Sequence, residues 1–363
     1  MIKFVMMLVL AMMLGACSDS GNTTPTDTTT TTNTTTTTTN TTSNPLPQTK
    51  QTFVIIQSNI AQLAEVATVA IAEAGSQAPT ALEFAPNGIW LAVGHHAGAT
   101  LFDLMGGTPL SFAHTAKVND VAWNSFGFLL ATASDDKTVK VWDTNTSEAT
   151  LTFTSPNNAN FRHVAISNDD SLIAAAEDFS NIYILSAESG EISTTITLTG
   201  NPTISDIAIT ADSASLVVAS GDNIVRVFDI ATGEEVRQFP VPLGVSSFEL
   251  ASDDKRLFIS NFASGGLMVV DITTGEQTLS QTTQYIHPKV ALSADGQLLA
   301  GFWNVDGAKL AFYDTFNLQP VGTEITLPSG GIDKIAYGSD GSMIATVGLR
   351  AGVATLSIWR VNS

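Results

Sequence analysis

Short stretches of alternating apolar and polar residues follow one another along most of the chain, and the pattern repeats. Apolar segments recur at intervals of roughly 42 residues, and their central residues are Leu82, Val121, Val164, Ile207, Phe248, Val290 and Ile335. A second set of positions closes each unit with the same spacing, at Phe102, Trp142, Leu185, Phe228, Val270, Tyr313 and Trp359. Two sets that share one period predict seven structural repeats.

Each repeat has the pattern of four short antiparallel strands. The turn between the first two strands falls at Asn87-Gly88, Phe126-Gly127, Asp169-Asp170, Asp212-Ser213, Asp253-Asp254, Asp295-Gly296 and Asp340-Gly341. Asn, Asp and Gly tolerate the positive φ that tight hairpins need. Four strands in roughly 42 residues, repeated seven times, predict an all-β fold, a seven-bladed β-propeller over residues 51–363.

The last repeat stops after its third strand, at Trp359-Arg360-Val361. A propeller must close its ring, so we assign the segment from Val66 to Ala72 as the outer strand of the last blade. Ser58 or Asn59 is a candidate cap for a short helical turn before it. The alternative is a free amphipathic helix over residues 59–74.

The second repeat has the clearest motif, since residues 112–143 read FAHTAKVNDVAWNSFGFLLATASDDKTVKVWD. It resembles the WD-repeat family. The resemblance implies a buried hydrogen-bonded tetrad at His114, Thr132, Asp136 and Trp142. The other repeats depart from that pattern, so the array is degenerate and its blades are expected to depend mainly on apolar packing.

The N-terminus has the pattern of an export signal. Lys3 precedes an apolar stretch from Phe4 to Leu14, which is too short to span a bilayer. Residues Leu14-Gly15-Ala16-Cys17 then resemble the lipobox of bacterial lipoproteins. The resemblance implies a signal peptide over residues 1–16, cleavage before Cys17 and lipidation of Cys17. By the same analogy, Ser18 after the cysteine favours the outer membrane. The alternative is an ordinary secretory signal with a chance cysteine.

Residues 18–50 consist almost entirely of Thr, Asn, Ser and Pro. Such a composition cannot bury enough apolar surface to fold, so residues 17–50 are expected to form a disordered tether.

Composition narrows the functional classes. The chain has 34 acidic and 15 basic residues and a formal net charge of −19, which disfavours binding to nucleic acid. Cys17 is the single cysteine, so no intrachain disulfide can form. Phosphate-binding loops, nucleophile elbows and zinc motifs are absent from the sequence. We therefore expect no cofactor, no metal and no enzymatic activity.

The loops between second and third strands supply candidate contact residues. Aromatic and arginine side chains on loop tips are typical anchors of protein interfaces, and the candidate interaction face contains His96, Phe179, Phe262, Trp303 and Arg350. The alternatives are that His96 is simply solvated and that Phe179 and Trp303 pack between blades.

Two functional hypotheses follow. The first is a monomeric, membrane-tethered, non-catalytic scaffold in the cell envelope that binds a protein or peptide. The second is an enzyme or small-ligand-binding protein that uses the central channel, with His96 and nearby acids as candidates.

Overall fold

A computed structural model describes residues 54–242, 244–261, 266–283, 287–304, 307–327 and 330–361. Within these ranges the chain forms seven four-stranded antiparallel sheets, which are the blades of a β-propeller. Blade 1 contains β2 (Ala81–Phe84), β3 (Trp90–His95), β4 (Gly98–Asp103) and β5 (Leu110–Ala113). Blade 2 contains β6 (Val118–Trp123), β7 (Leu129–Ser134), β8 (Thr138–Asp143) and β9 (Glu148–Thr154).

The next blades follow in chain order. Blade 3 contains β10 (Phe161–Ile166), β11 (Leu172–Glu177), β12 (Asn181–Ser186) and β13 (Ile192–Thr197). Blade 4 contains β14 (Ile204–Ile209), β15 (Ser215–Ser220), β16 (Ile224–Asp229) and β17 (Glu235–Pro240). Blade 5 contains β18 (Ser247–Leu250), β19 (Arg256–Ser260), β20 (Gly266–Asp271) and β21 (Gln277–Thr282).

The last two blades complete the ring. Blade 6 contains β22 (Val290–Leu292), β23 (Leu298–Trp303), β24 (Lys309–Asp314) and β25 (Pro320–Thr326). Blade 7 contains β26 (Lys334–Tyr337), β27 (Ile344–Arg350), β28 (Val353–Val361) and, as its outer strand, β1 (Leu63–Ala70). The predicted seven-bladed fold is confirmed.

Ring closure uses the segment before the first repeat, as predicted. β1 pairs antiparallel with β28 from Leu63 opposite Val361 to Ala70 opposite Thr355. The strand therefore begins and ends slightly earlier than the predicted segment from Val66 to Ala72, and the alternative helix over residues 59–74 is wrong.

A 3-10 turn over Ile60–Gln62 precedes the closing strand, and a second one over Ala72–Ala74 follows it. Asn59 precedes the first turn without capping it, because its side-chain oxygen accepts the Ile56 N–H at 2.9 Å instead.

The core lies between adjacent blades. The second strand of each blade is buried almost throughout, whereas the outer strands are mostly exposed. In one interblade cluster, Phe112 of blade 1 packs with Val118, Leu130 and Trp142 of blade 2. Burial on both faces explains why the second strands are nearly continuously apolar, and exposure explains why the outer strands carry many polar residues.

Candidate functional site

The fold presents two faces and a central channel. The turns between first and second strands, and between third and fourth strands, lie on one face, which we call the hairpin face. The loops between second and third strands, and the connections between blades, lie on the opposite loop face. The described chain begins at Val54 on the hairpin face, because the Ile55 N–H donates to the Gly341 carbonyl at 2.9 Å.

The structure joins the four tetrad side chains of blade 2 in one hydrogen-bonded chain. The Trp142 indole N–H donates to the Thr132 hydroxyl at 2.9 Å, and His114 Nε2 lies 2.7 Å from that hydroxyl. His114 Nδ1 lies 2.8 Å from Asp136 Oδ2. Burial alone would raise the pKa of Asp136, but hydrogen bonds from Thr138 and His114 outweigh it and lower that pKa to about 2. The group is buried inside the blade, which indicates a structural role.

Other blades keep parts of this arrangement or replace it. In blade 7 the Trp359 indole donates to Thr346 at 3.0 Å, which reproduces the Trp–Thr half of the tetrad. In blade 3 the Tyr183 hydroxyl lies 3.2 Å from the Glu177 carboxylate. On their strands these two residues lie two positions closer to the loop face than the Trp and Thr of the tetrad. Each network satisfies buried polar atoms between the middle strands of a blade, so the degenerate repeats still fold alike.

Two of the predicted interface residues are exposed on the loop face. His96 is exposed in blade 1, whereas its neighbour His95 is buried and bonds to Thr100 at 3.0 Å. Phe179 is 50% exposed in blade 3. Phe262 lies outside the described residues.

Trp303 does not belong to that surface. It is the last residue of β23, its side chain is 2% exposed, and it packs edge-on against His287 with ring centroids 5.6 Å apart. The expectation that Trp303 anchors an interface is therefore wrong, and the alternative that it packs within the fold is right. Trp303 belongs to the buried second strand and not to the loop that follows it, so its indole lies inside the fold.

Arg350 also has a structural role. It is the last residue of β27, and its Nη2 lies 2.5 Å from Glu65 Oε1 on the closing strand. Arg350 therefore joins β27 to the closing strand of blade 7. Among the described residues, the predicted loop-face surface is reduced to His96 and Phe179.

A cavity of about 670 Å³ occupies the centre of the ring and opens at the hairpin face, beside the turn residues Ser125, Asn168, Ala211 and Asp254. Its wall is formed by the innermost strands. The residue after each central apolar residue faces the cavity, and these residues are Glu83, Ala122, Ala165, Ala208, Glu249, Ala291 and Ala336. The wall is thus a ring of alanines interrupted by two glutamates.

Charged groups stand one step deeper in the channel. Asp120, Asp206 and Lys289 each precede a central apolar residue and also line the cavity. Asp120 accepts the N–H of Val164 in the next blade at 3.2 Å, and Asp206 accepts that of Phe248 at 3.3 Å. These two aspartates therefore connect inner strands of neighbouring blades, whose edge N–H groups have no strand partner.

The channel shifts the protonation of its charged groups. Burial raises the pKa of Glu249 to about 7 and raises that of Glu83 well above its ordinary value. Burial would lower the pKa of Lys289, but the surrounding carboxylates of Asp206, Glu249, Asp120 and Glu83 raise it. Glu249 can therefore exchange a proton near neutral pH, while Lys289 stays charged.

The sequence predictions missed the channel residues. A signal was present, because the residue after each of the seven central apolar residues lines the cavity. His96, which was proposed for the channel, does not line the cavity. Within the described ranges, no group of three or more His, Cys, Asp or Glu side chains is placed to hold a metal ion. No helix in the described part of the chain has the length and apolarity of a membrane span.

Comparisons with known proteins agree with this architecture. The family model of the WD domain, G-beta repeat, matches residues 107–143, which include the tetrad of blade 2. The chain is a β-propeller with a WD repeat. A second model, of outer membrane protein assembly factor BamB, matches residues 129–296.

The solved structures include a propeller of similar shape. The crystal structure of the Myceliophteria thermophila Cps50 (Swd1) β-propeller domain is 16% identical in sequence and superimposes with a TM-score of 0.71. The match covers 83% of this chain and 100% of that one, and at this identity it shows the fold alone. A search of curated proteins finds no match.

Proposed function

We propose that this propeller is a lipid-anchored, non-catalytic scaffold of the cell envelope that binds a protein partner. The observation that carries the proposal is the exposure of large aromatic side chains on the flat faces of the disc, of which Phe126 and Phe316 are each 68% exposed. Folding does not explain such exposure, and aromatic side chains are typical anchors of protein interfaces. The match to the outer membrane assembly factor model over residues 129–296 supports an envelope location.

The anchor in this proposal is Cys17, which lies outside the described residues. The Leu14-Gly15-Ala16-Cys17 motif supports cleavage before the cysteine and attachment of acyl chains, and several chains together hold a protein stably on a membrane. Ser18 favours the outer membrane. Metabolic labelling with an alkyne fatty acid is expected to mark the wild type and leave Cys17→Ser unmarked. Equal labelling of the two would contradict the anchor.

The scaffold role is tested by chemical cross-linking in intact cells, with the tagged full-length protein as bait. Phe126→Ser on the hairpin face and Phe179→Ser on the loop face are matched variants of two exposed phenylalanines. We expect one or a few cross-linked partners with the wild type, and their loss in one of the two variants. If neither variant changes the cross-linked proteins, or if none is enriched, the scaffold proposal fails.

A second candidate function is favoured by the central cavity. A carboxyl group with a pKa of about 7, a charged lysine and apolar walls form a chamber that suits a small polar ligand. A thermal-shift screen of small metabolites against the wild type, Glu249→Gln and His96→Ala tests it. Stabilisation by a ligand that disappears only in Glu249→Gln would favour this function. Equal stabilisation of all three proteins would exclude the channel as the binding site.

A further inference from the structure

Six exposed apolar side chains of the hairpin face lie on four consecutive blades, while Ile192 and Val236 are exposed where the outer strands of blades 3 and 4 begin. We call this surface the apolar arc and define it as Val54, Ile56, Met105, Phe126, Phe128 and Phe316, all of which are exposed. Phe316 belongs to blade 6, Val54 and Ile56 lie against blade 7, Met105 belongs to blade 1, and the other two phenylalanines belong to blade 2. Since blade 7 adjoins blade 1, the arc covers one continuous side of the face.

Contacts between neighbouring turns make the arc continuous. Gln57 donates to Asp314 in the turn that carries Phe316, and Ile55 bonds to Gly341 in blade 7. In blade 1, Asn87 Nδ2 donates to the Gly127 carbonyl of blade 2 at 2.7 Å. The N-terminal segment is therefore joined to blades 6 and 7, and the turn of blade 1 to that of blade 2.

The surroundings of the arc are acidic. Third strands in five blades end at an aspartate on this face, namely Asp103, Asp143, Asp229, Asp271 and Asp314. Further carboxylates occupy the first turns of blades 3 to 7. Arg256 partly offsets them, but it is paired with Asp253 at 2.7 Å and lies 5.8 Å from the Phe316 ring centre.

We propose that the apolar arc binds a protein segment that presents apolar side chains among lysines and arginines. This inference rests on the proposed scaffold function and names its surface and its partner chemistry. The aromatic side chains would supply the buried centre of the interface, and the carboxylates would attract and orient the basic residues at its rim.

The same charges argue against two other occupants. A second copy of the chain would bring two acidic faces together, where like charges repel. An anionic lipid surface would be repelled by the same carboxylates. A basic and apolar protein segment is the occupant that fits both properties of the surface.

The test is a binding titration with the full-length protein in nanodiscs of zwitterionic lipid. The probe is a fluorescent 12-residue peptide of alternating leucine and lysine, and the matched peptides alternate serine with lysine and leucine with glutamate. We expect the leucine–lysine peptide to bind at least about tenfold more tightly than either control. The double variant Phe126→Ser/Phe316→Ser should weaken its binding at least about tenfold, and Phe179→Ser on the loop face should leave it within about twofold.

Several outcomes would overturn the proposal. Equal binding of the serine–lysine peptide would show a purely electrostatic contact, and unchanged binding by the double variant would place the site elsewhere. Dimers that disappear in the double variant would identify a second copy as the occupant. Quenching of a fluorophore at Phe316→Cys by brominated lipid would identify the membrane. If the double variant retains the partners cross-linked in cells while Phe179→Ser loses them, the apolar arc is not the binding surface and the scaffold function stands.

Discussion

The hairpin face has two unlike halves that differ at one aligned turn position. This position is the second residue of the turn between the first and second strands. In blades 1 to 7 it is occupied by Gly88, Gly127, Asp170, Ser213, Asp254, Gly296 and Gly341. All seven have positive φ, between 55° and 71°. Glycine adopts this conformation without strain, whereas aspartate and serine need a compensating interaction.

Blades 3 to 5 have that compensation. Asp170 accepts hydrogen bonds from the Ser125 N–H at 2.7 Å and from the Ser125 hydroxyl and Asn124 amide at 3.0 Å each. Asp254 likewise accepts the Ala211 N–H of blade 4 at 2.7 Å. We call Asp169, Asp170, Asp212, Asp253 and Asp254 the acidic arc.

The turns of the two halves have different roles. In the acidic arc, side chains at the turn bind the preceding blade and stabilise the ring. In the apolar arc, glycine occupies that position, and in blade 2 its neighbours Phe126 and Phe128 are exposed. Contacts between blades explain the charged turn residues of one half, whereas the exposed phenylalanines of the other half fit the proposed partner.

Replacing the turn aspartate of the acidic arc by the glycine of the apolar arc should have the largest effect on the free energy of unfolding. Asp170→Gly keeps the positive φ and removes three hydrogen bonds to blade 2. We expect the free energy of unfolding to fall by about 2–3 kcal/mol, because donors in the turn of blade 2 lose their acceptor. Denaturant unfolding measures this. Asp170→Asn, which keeps one acceptor oxygen, is the control and should lose less. If Asp170→Gly is as stable as the wild type, the acidic arc does not stabilise the ring.

Substitution of a channel glutamate should have a smaller effect on the free energy of unfolding, and that effect should depend on pH. The result tests whether the two halves of the ring also differ in the channel. The folded-state pKa of Glu249 is about 7, above its ordinary value of 4.5. Stability from this group is therefore complete below pH 4.5 and is lost as the pH rises through 7. Glu249→Gln should be more stable than the wild type at pH 8 by about 1–2 kcal/mol and should show a flatter pH dependence.

Two companion variants complete the pH experiment. Glu83 lies on the opposite half of the ring, and its raised pKa predicts the same sign for Glu83→Gln. Glu276 is exposed in an outer turn, so Glu276→Gln is the control and should follow the wild type. Opposite signs for Glu83→Gln and Glu249→Gln would show that the halves differ in the channel as well as at the rim.

The smallest effect on stability is expected in the apolar arc. Phe126 stands where the other six repeats have Asp or Asn. Because its ring is 68% exposed, Phe126→Asp should change the free energy of unfolding by no more than about 0.5 kcal/mol. A loss of several kcal/mol, measured by denaturant unfolding, would show that the ring has a folding role. The matched change Phe179→Asp on the loop face should be equally neutral.

The blades and their turns can be predicted from the sequence, but the sequence places the candidate interaction surface on the loop face and not on the hairpin face. The repeat spacing and the Asn, Asp and Gly residues identify the seven turn pairs, of which Phe126-Gly127 is the one that contains an aromatic residue. The closing strand followed from the need to complete a ring, and the positions of the tetrad followed from the WD resemblance. These features depend on local patterns that repeat at a fixed interval.

Other features depended on contacts between distant segments. The burial of Trp303 depends on His287 and on the neighbouring blade, and the role of Arg350 depends on a strand 285 residues away. The raised pKa of Glu249 reflects a channel that forms only when all seven inner strands meet. The lipid on Cys17 and the tether over residues 17–50 lie outside the described residues and stay predictions.

The central claim is that the apolar arc, and not the acidic arc, faces a protein partner. Site-specific photo-cross-linking in living cells tests it directly, with benzoylphenylalanine placed at Phe126, at Phe316, at Ser213 among the turns of blades 3 to 5, and at Phe179 on the loop face. The account predicts the same discrete cross-linked protein from Phe126 and Phe316 and none from Ser213 or Phe179. Cross-links of equal strength at Ser213, or at Phe179 alone, would contradict it.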